Sequence, residues 1–410
     1  MSRPDYLKFA SGRVNFVEPS PIRDMVSKIA AKSRSVKVIS FAAGEPDPDV
    51  VPRGLYGELM RELFSSRRLI ASYSPTDGIP ELKEEIAGFM ERHEGVKTSP
   101  GRIVATLGGS QAIDLLGKMF LDPGDIVLVE NPSYVNTLLV WKHYGVKLVG
   151  VDVDDQGLRP DLLEDTLRRL RSDGKKVKLL YTIPTGQNPS GITMSMDRRK
   201  KVVELASEHD FLVVEDTAYN HLVYEPVEAK PLRSMDSEGR VIYVGSFSKV
   251  LGTGLRIGWI EAPEEIVEKL KAMKGPADMC PPVPSQYLVT EVLKRGLFPE
   301  IRDKAIIAYR EKRDLMLKAI KEQLPGLRHT RPVAGMFILL WLPDGIDAWS
   351  FADKLLEEHN VATIPAPPFY LDEKGRSVLR LNFSMAEKDL IYEGVERIRK
   401  LLDEMGKWSR

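Results

Sequence analysis

The chain has 410 residues, 43% hydrophobic and 29% charged, enough for two domains and a large core, which excludes a disordered chain. Lys plus Arg and Asp plus Glu balance at 59 each, which excludes a broad field for nucleic acid or an anionic membrane. Any anion site must therefore be local.

The first residues, Met1-Ser2-Arg3-Pro4-Asp5-Tyr6, lack the apolar stretch of a signal peptide, and no run of about 18 apolar residues occurs anywhere. We expect a soluble cytoplasmic protein with no membrane or nucleic-acid partner. The first forty residues are punctuated by proline and hold no complete folding unit. From Gly101 to Trp259, apolar runs alternate with helical patterns. The strand candidates are Ile103–Thr106, Ile126–Glu130, Lys147–Val151, Val177–Ile183, Phe211–Glu215 and Val241–Gly245. Helical stretches at Gln111–Phe120, Tyr134–His143, Asp161–Arg171 and Asp197–Glu208 lie between them. Near-continuous Val/Ile/Leu runs fit strands buried on both faces, and the alternation predicts an α/β domain with a largely parallel sheet.

Cys280 is the single cysteine. It excludes an intramolecular disulfide and a multi-cysteine metal site, and no metal is expected. None of the six histidines stands in a motif that would make it a nucleophile, so it reads as a buried or incidental thiol. Beyond it come a helix over Pro299–Gln323, a strand at Met336–Leu342, a helix at Ala348–His359, a strand at Val378–Phe383 and an amphipathic helix over Glu387–Met405. This interleaving predicts a smaller α+β domain.

In an open α/β sheet, ligands gather beyond the carboxyl ends of the strands. Three polar clusters fall there. Val177–Ile183 runs into Pro184-Thr185-Gly186-Gln187-Asn188-Pro189; Phe211–Glu215 ends in Asp216, with Tyr219 three residues on; Val241–Gly245 ends in Ser246-Phe247-Ser248-Lys249. Alone, Asn188 could shape a turn, Asp216 could cap a helix and Lys249 could be a solvated amine. Together they bring an amide, a carboxylate, a phenol and an amine to one rim. Pyridoxal 5'-phosphate (PLP) chemistry uses that set: an amine for the aldehyde, a carboxylate for the pyridine nitrogen, and donors for the ring oxygen.

The run from Ser246 through Lys249 and Arg256 to Trp259 resembles the cofactor-lysine signature of class I/II aminotransferases, the fold type I PLP enzymes. The resemblance extends to Tyr73-Ser74-Pro75-Thr76-Asp77-Gly78-Ile79-Pro80, Gly108-Gly109-Ser110-Gln111, Glu130-Asn131-Pro132-Ser133-Tyr134, the Asn188 and Asp216 motifs, and Arg380-Leu381-Asn382-Phe383. Lys249 and Arg256 are seven residues apart, one fewer than in the aspartate aminotransferase branch. That spacing resembles the branch of kynurenine/2-aminoadipate and archaeal alanine–glyoxylate or multisubstrate enzymes.

The resemblance implies a large α/β domain (46–295) with a mostly parallel seven-stranded sheet, a small α+β domain (296–410), and an N-terminal segment (1–45) packed on the small domain and the active site. It implies that Lys249 holds PLP and moves a proton, that Asp216 pairs with the ring nitrogen, and that Asn188 and Tyr219 bond the ring oxygen. Tyr134 would stack on the ring, and Gly109, Ser110, Gln111, Ser246, Ser248 and Arg256 would hold the phosphate. Tyr73 would reach the phosphate of a partner subunit, making a homodimer with shared sites. Arg380 would bind the substrate carboxylate, with Asn188 and the Gly44 backbone beside it; an arginine inside an apolar strand otherwise needs a buried partner. Arg23, in Pro19-Ser20-Pro21-Ile22-Arg23, matches a mobile segment whose arginine meets a distal carboxylate, or is a solvated helix-start arginine. The apolar residues Phe337 and Leu340 are candidates for the pocket. The implied reaction is ping-pong transfer from an amino acid of 2-aminoadipate/glutamate, aromatic or alanine type to 2-oxoglutarate or glyoxylate. A C–S β-lyase and a PLP-binding sensor share the same core residues.

Overall fold

The computed structural model describes residues 5–407. Its large sheet is built from β1 (Ile103–Thr106), β2 (Ile126–Asn131), β3 (Lys147–Asp154), β4 (Gly157–Leu158), β5 (Val177–Thr182), β6 (Leu212–Asp216), β7 (Val241–Ser246) and β8 (Gly258–Glu261). The spatial order is β1-β8-β7-β6-β5-β2-β3-β4. The pairs β3/β2, β2/β5, β5/β6 and β6/β7 are parallel. β8 runs antiparallel to both β7 and β1, and the two-residue β4 runs antiparallel to β3.

The sheet thus has one strand more than the seven expected, because the chain doubles back at Gly157 in a hairpin too short to show an alternating pattern. β8 likewise has no counterpart among the strand candidates. Its four residues continue the lysine-bearing run, and at that length a strand has no periodicity to detect. β8 nonetheless decides the geometry of the rim. Two antiparallel steps restore direction, so β1 points the same way as β7 and its carboxyl end reaches the same edge.

Helices cover both faces, as a parallel sheet buried on both sides requires. Leu128, Val151, Leu163, Val202 and Val213 belong to a core beneath one face. The other core is continuous from Val104, Val129 and Val244 through Phe298 into Phe337, Leu381 and Leu402. There the chain forms a second sheet of β9 (Phe337–Trp341), β10 (Ile364–Pro365) and β11 (Val378–Asn382), ordered β9-β11-β10 and antiparallel throughout. Helices Phe298–Gln323, Ala348–His359 and Ile391–Glu404 surround it. The last buries Ile391, Val395, Ile398, Leu401 and Leu402, an apolar stripe at helical spacing.

The N-terminal segment is tied to this second unit. Helix Pro21–Lys32 joins helix Ala348–His359 through Lys28–Asp353 at 2.7 Å and Lys32–Glu357 at 2.8 Å. Ile39–Ser40 pairs in parallel with Val361–Ala362, and the Phe41 carbonyl accepts from the Asn382 N–H at 2.7 Å. Among the described residues no helix is long and apolar enough to cross a membrane. Cys280 is half-buried and unbonded.

Candidate active site

A cavity of about 430 Å³ opens at the carboxyl rim of the sheet. Gly109, Ser110, Tyr134, Asn188, Asp216, Tyr219, Ser246, Ser248, Lys249 and Arg256 line it from the strand ends, Gly44 and Arg23 from the N-terminal segment, and Arg380 from β11. Phe337 joins them, whereas Leu340 packs elsewhere in the core because residues of β9 alternate between faces.

Each strand end delivers its group for a local reason. β6 stops at Asp216, which is 6% exposed and whose carboxylate is fixed by two donors: the Tyr181 hydroxyl at 2.7 Å and the Ala218 N–H at 3.1 Å. Burial raises its pKa, opposed by the Tyr181 and Ala218 hydrogen bonds and by Lys249. Asn188 follows β5 in a loop organised by a second buried acid, Glu130. That carboxylate accepts from Thr182 Oγ1 at 2.7 Å and from the Ile183 N–H and Gln187 Nε2, each at 3.1 Å. Burial pushes Glu130 up to about 7 against those hydrogen bonds. Gly186, at φ +59, lets the loop touch the backbone of Gly335, where a Cβ would lie 2.5 Å from a main-chain nitrogen.

The amide Asn188 links the two sides of the cavity. Its Nδ2 donates to the Tyr219 hydroxyl at 3.4 Å and its Oδ1 accepts from Arg380 Nη1 at 3.3 Å. Arg380 Nη2 donates to the Ala42 carbonyl at 2.8 Å, its Nε has no partner, and its guanidinium lies 4.4 Å from the Phe337 ring centroid. Among the described residues Arg380 is therefore a buried cation without a carboxylate, the partner that its place in an apolar strand calls for. Lys249 donates to the Gly44 carbonyl at 2.8 Å. Burial pulls its pKa down to about 8; Glu45 and Asp216 oppose this, and Arg380 and Arg256 reinforce it.

Around the start of helix Gly109–Phe120 the backbone turns tightly. Gly108 has φ +76, and a Cβ there would meet Arg256 Nη2 at 2.8 Å. Arg256 donates to the Leu107 carbonyl at 2.5 Å and the Thr253 carbonyl at 3.1 Å, and forms no ion pair among the described residues. The cavity lining holds Arg23, Lys249, Arg256 and Arg380 against only Glu45 and Asp216. In a chain with no net charge, this is a local cationic site. Main-chain donors at a helix start, two serines and Arg256 suit a phosphate; Asp216 suits a ring cation; the orphaned Arg380 Nε suits a carboxylate. The donor set fits PLP with an amino acid beside it.

Two expected residues stand apart. Tyr73 is 80% exposed and lines a surface dent with Ile70, Cys280 and Pro282. Gln111 does not line the cavity; its side chain bonds the Leu107 N–H and Asp278. Residues that the sequence reading passed over are Tyr181, hidden inside an apolar strand, and Glu45, Asn136 and Thr253 on the lining. Thr253 lies within the run from Ser246 to Trp259 and Glu45 directly follows Gly44, so both have a sequence signal; Tyr181 has none.

Residues 36–398 match the family described as aminotransferase class I and II. The aromatic-amino-acid aminotransferase 1 of Thermococcus litoralis is 38% identical over 98% of this chain and 95% of its own. An archaeal alanine:glyoxylate aminotransferase structure is 48% identical, with a TM-score of 0.96 over 98% of this chain and all of the other. The kynurenine aminotransferase of Pyrococcus horikoshii, solved in complex with PMP, is 35% identical, with a TM-score of 0.92 over 98% of each chain. Likeness of this degree along nearly the whole length accounts for both the fold and the convergence on the rim: the chain belongs to the class I and II aminotransferases, enzymes that use PLP to move amino groups from amino acids to 2-oxo acids.

Proposed function

We propose that Lys249 is the residue that holds PLP and carries the proton in transfer from an L-amino acid of 2-aminoadipate/glutamate, aromatic or alanine type to 2-oxoglutarate or glyoxylate. One observation carries this reading. The Lys249 amine, brought to about 8, shares a single cavity with the Asp216 carboxylate and the unpaired Arg380 guanidinium.

When bound, PLP supplies an aldehyde for the amino group and a cationic ring that takes up electron density from the α-carbon. The residues divide the remaining work. Asp216, held by Tyr181 and the Ala218 N–H, would pair with the ring nitrogen and keep it protonated. Asn188 and Tyr219 would offer donors to the ring oxygen, and Tyr134 a face for the ring. Gly109, Ser110, Ser246, Ser248 and Arg256 would hold the phosphate. Arg380 would take the substrate α-carboxylate on the Nε and Nη edge, with the Gly44 backbone closing beside it. An amine at about 8 exchanges protons readily near neutral pH, so Lys249 can accept the α-proton and return it.

The most exposed of these groups suggest what else the site meets. Arg23 is exposed at the cavity mouth with no ion pair among the described residues, free to meet a distal carboxylate. Tyr73 and, four residues earlier, Leu69 are both exposed, and exposed Met279 adjoins Cys280 of the dent; apolar exposure of this kind marks an interface. We assign it to a homodimer in which Tyr73 reaches the partner's phosphate.

The test is a panel of amino donors against 2-oxoglutarate, glyoxylate and pyruvate. Turnover should require the 2-oxo acid. Ammonia and pyruvate released from a cysteine-type donor with no 2-oxo acid present would instead establish elimination on the same scaffold.

A further inference from the structure

Backbone donors grip an anion only where the backbone itself is held. In the turn after β1, residue Leu107 is held from both sides. Its N–H donates to Gln111 Oε1 at 2.9 Å, and its carbonyl accepts from Arg256 Nη2 at 2.5 Å. Gln111 is fixed in turn: its Nε2 donates to Asp278 Oδ2 at 2.5 Å. Asp278 then meets Lys274, whose Nζ lies 2.8 Å and 2.9 Å from the two carboxylate oxygens and whose side chain is wholly buried.

The polarity of this chain of contacts is what gives it meaning. A glutamine amide can present either its oxygen or its nitrogen to a neighbour, and the two orientations are nearly isosteric. An ionised carboxylate only accepts. Asp278, in an ion pair with the buried Lys274, obliges Gln111 to turn its nitrogen that way and its oxygen towards the Leu107 N–H. A neutral group at 278 would permit the flip, which would set two N–H groups against each other at Leu107.

Lys274 and Asp278 lie four residues apart in the last turn of helix Glu264–Asp278, where the chain leaves the helix through Met279 at φ +64. Neither lines the cavity, and none of the chemistry described above uses them.

We propose that Lys274 and Asp278 are positioning residues for the phosphate-binding turn: their ion pair sets the orientation of the Gln111 amide, which holds Leu107 so that Gly109 and Ser110 present their N–H groups. This rests on the reading of that turn as the phosphate site.

The experiment compares PLP with pyridoxal, which has the same ring and aldehyde but no phosphate. Apoenzyme of wild type, Asp278→Asn and Gln111→Ala is titrated with each, following absorbance, and the apoenzymes are compared by thermal unfolding. In both variants the PLP dissociation constant should rise roughly tenfold, with pyridoxal changed by less than about twofold. The double variant should be no weaker than Gln111→Ala alone, because both changes act through one contact. Equal weakening for PLP and pyridoxal, or unchanged PLP affinity in Asp278→Asn, overturns the proposal. Should Asp278→Asn fail to fold with Lys274 unpaired, the Lys274→Met/Asp278→Asn double removes the buried charge and is judged by the same ratio. A wild type that binds PLP no better than pyridoxal would overturn the phosphate-site reading itself, before any variant is compared.

Discussion

The strand rim and the N-terminal segment both line the cavity, but they do so on different terms. Asp216, Asn188 and Arg380 are buried, each held by two hydrogen-bond partners, and stand on strands or on loops pinned to them. Arg23 is exposed on helix Pro21–Lys32, which is anchored by buried Met25 and by the Lys28 and Lys32 ion pairs, and its own charge is solvated. On the roles proposed above, the difference separates the part of the site that sets the reaction from the part that sets the substrate. Reaction geometry needs groups held within a fraction of an ångström, which a packed sheet provides. Selectivity among side chains needs only a modest bias, which an adjustable surface arginine can supply.

If that division is right, damage should fall off from the rim outwards. Lys249→Met should cause the largest loss, about 10²–10⁴-fold in single-turnover transfer, since it removes the group proposed to move the proton. The same variant has a pH signature in the cofactor-free protein. Folding lowers the Lys249 pKa from 10.5 to about 8, so between those values the unfolded chain binds the proton more tightly than the folded one. Stability gained from this group therefore rises with pH across that window. The thermal midpoint of wild type relative to Lys249→Met should climb from pH 8 to 10.5, and a flat difference would mean that the amine is not desolvated.

Next comes Arg380→Ala. It should cost about 2–5 kcal/mol in kcat/KM for every amino donor alike, because it removes a buried charged partner of the group common to all of them. Loss confined to one class of side chain would move Arg380 out of the α-carboxylate role. Arg23→Ala should do least, under about 1 kcal/mol, and only for donors with a second carboxylate. An unchanged preference for 2-aminoadipate over leucine would remove Arg23 from the site, and an equal loss for all donors would erase the contrast between the two regions.

A half-buried lysine and a fully buried one sharpen the lesson about burial. Lys249 has a carbonyl for a partner and opens on the cavity, so desolvation acts on it with little relief. Lys274 is buried more deeply and meets both oxygens of Asp278. One is left reactive by its surroundings and the other is made structural by them. Nothing in the sequence distinguishes an amine that will face a carbonyl from one that will face a carboxylate; only the run around Lys249 marked it out.

Much of the rim was legible because each of its groups follows an apolar run, and the end of such a run is a place in space as well as in sequence. Asp216, Asn188 and Lys249 were found in this way, and Gly109 and Ser110 by the glycine-rich turn before a helix. Tyr181 escaped because it sits within β5, where a tyrosine is as good a strand residue as any, and only pairing with β6 sets its hydroxyl against Asp216. Gln111 was found by its motif, but the direction of its side chain was not, since that depends on Asp278, 167 residues further along the chain.

By itself the sequence determined the α/β order, the strand ends and the identity of the groups carried there, because local apolar periodicity and turn residues specify elements and their ends without reference to distant neighbours. Tertiary structure alone decided that β8 would reverse direction and bring β1 to the common rim. It also decided that Arg380 would be left without a carboxylate and that Lys249 would be desolvated to about 8. Those properties belong to no residue. They arise from which charges and carbonyls long-range packing places around a group, and from how much water that packing excludes.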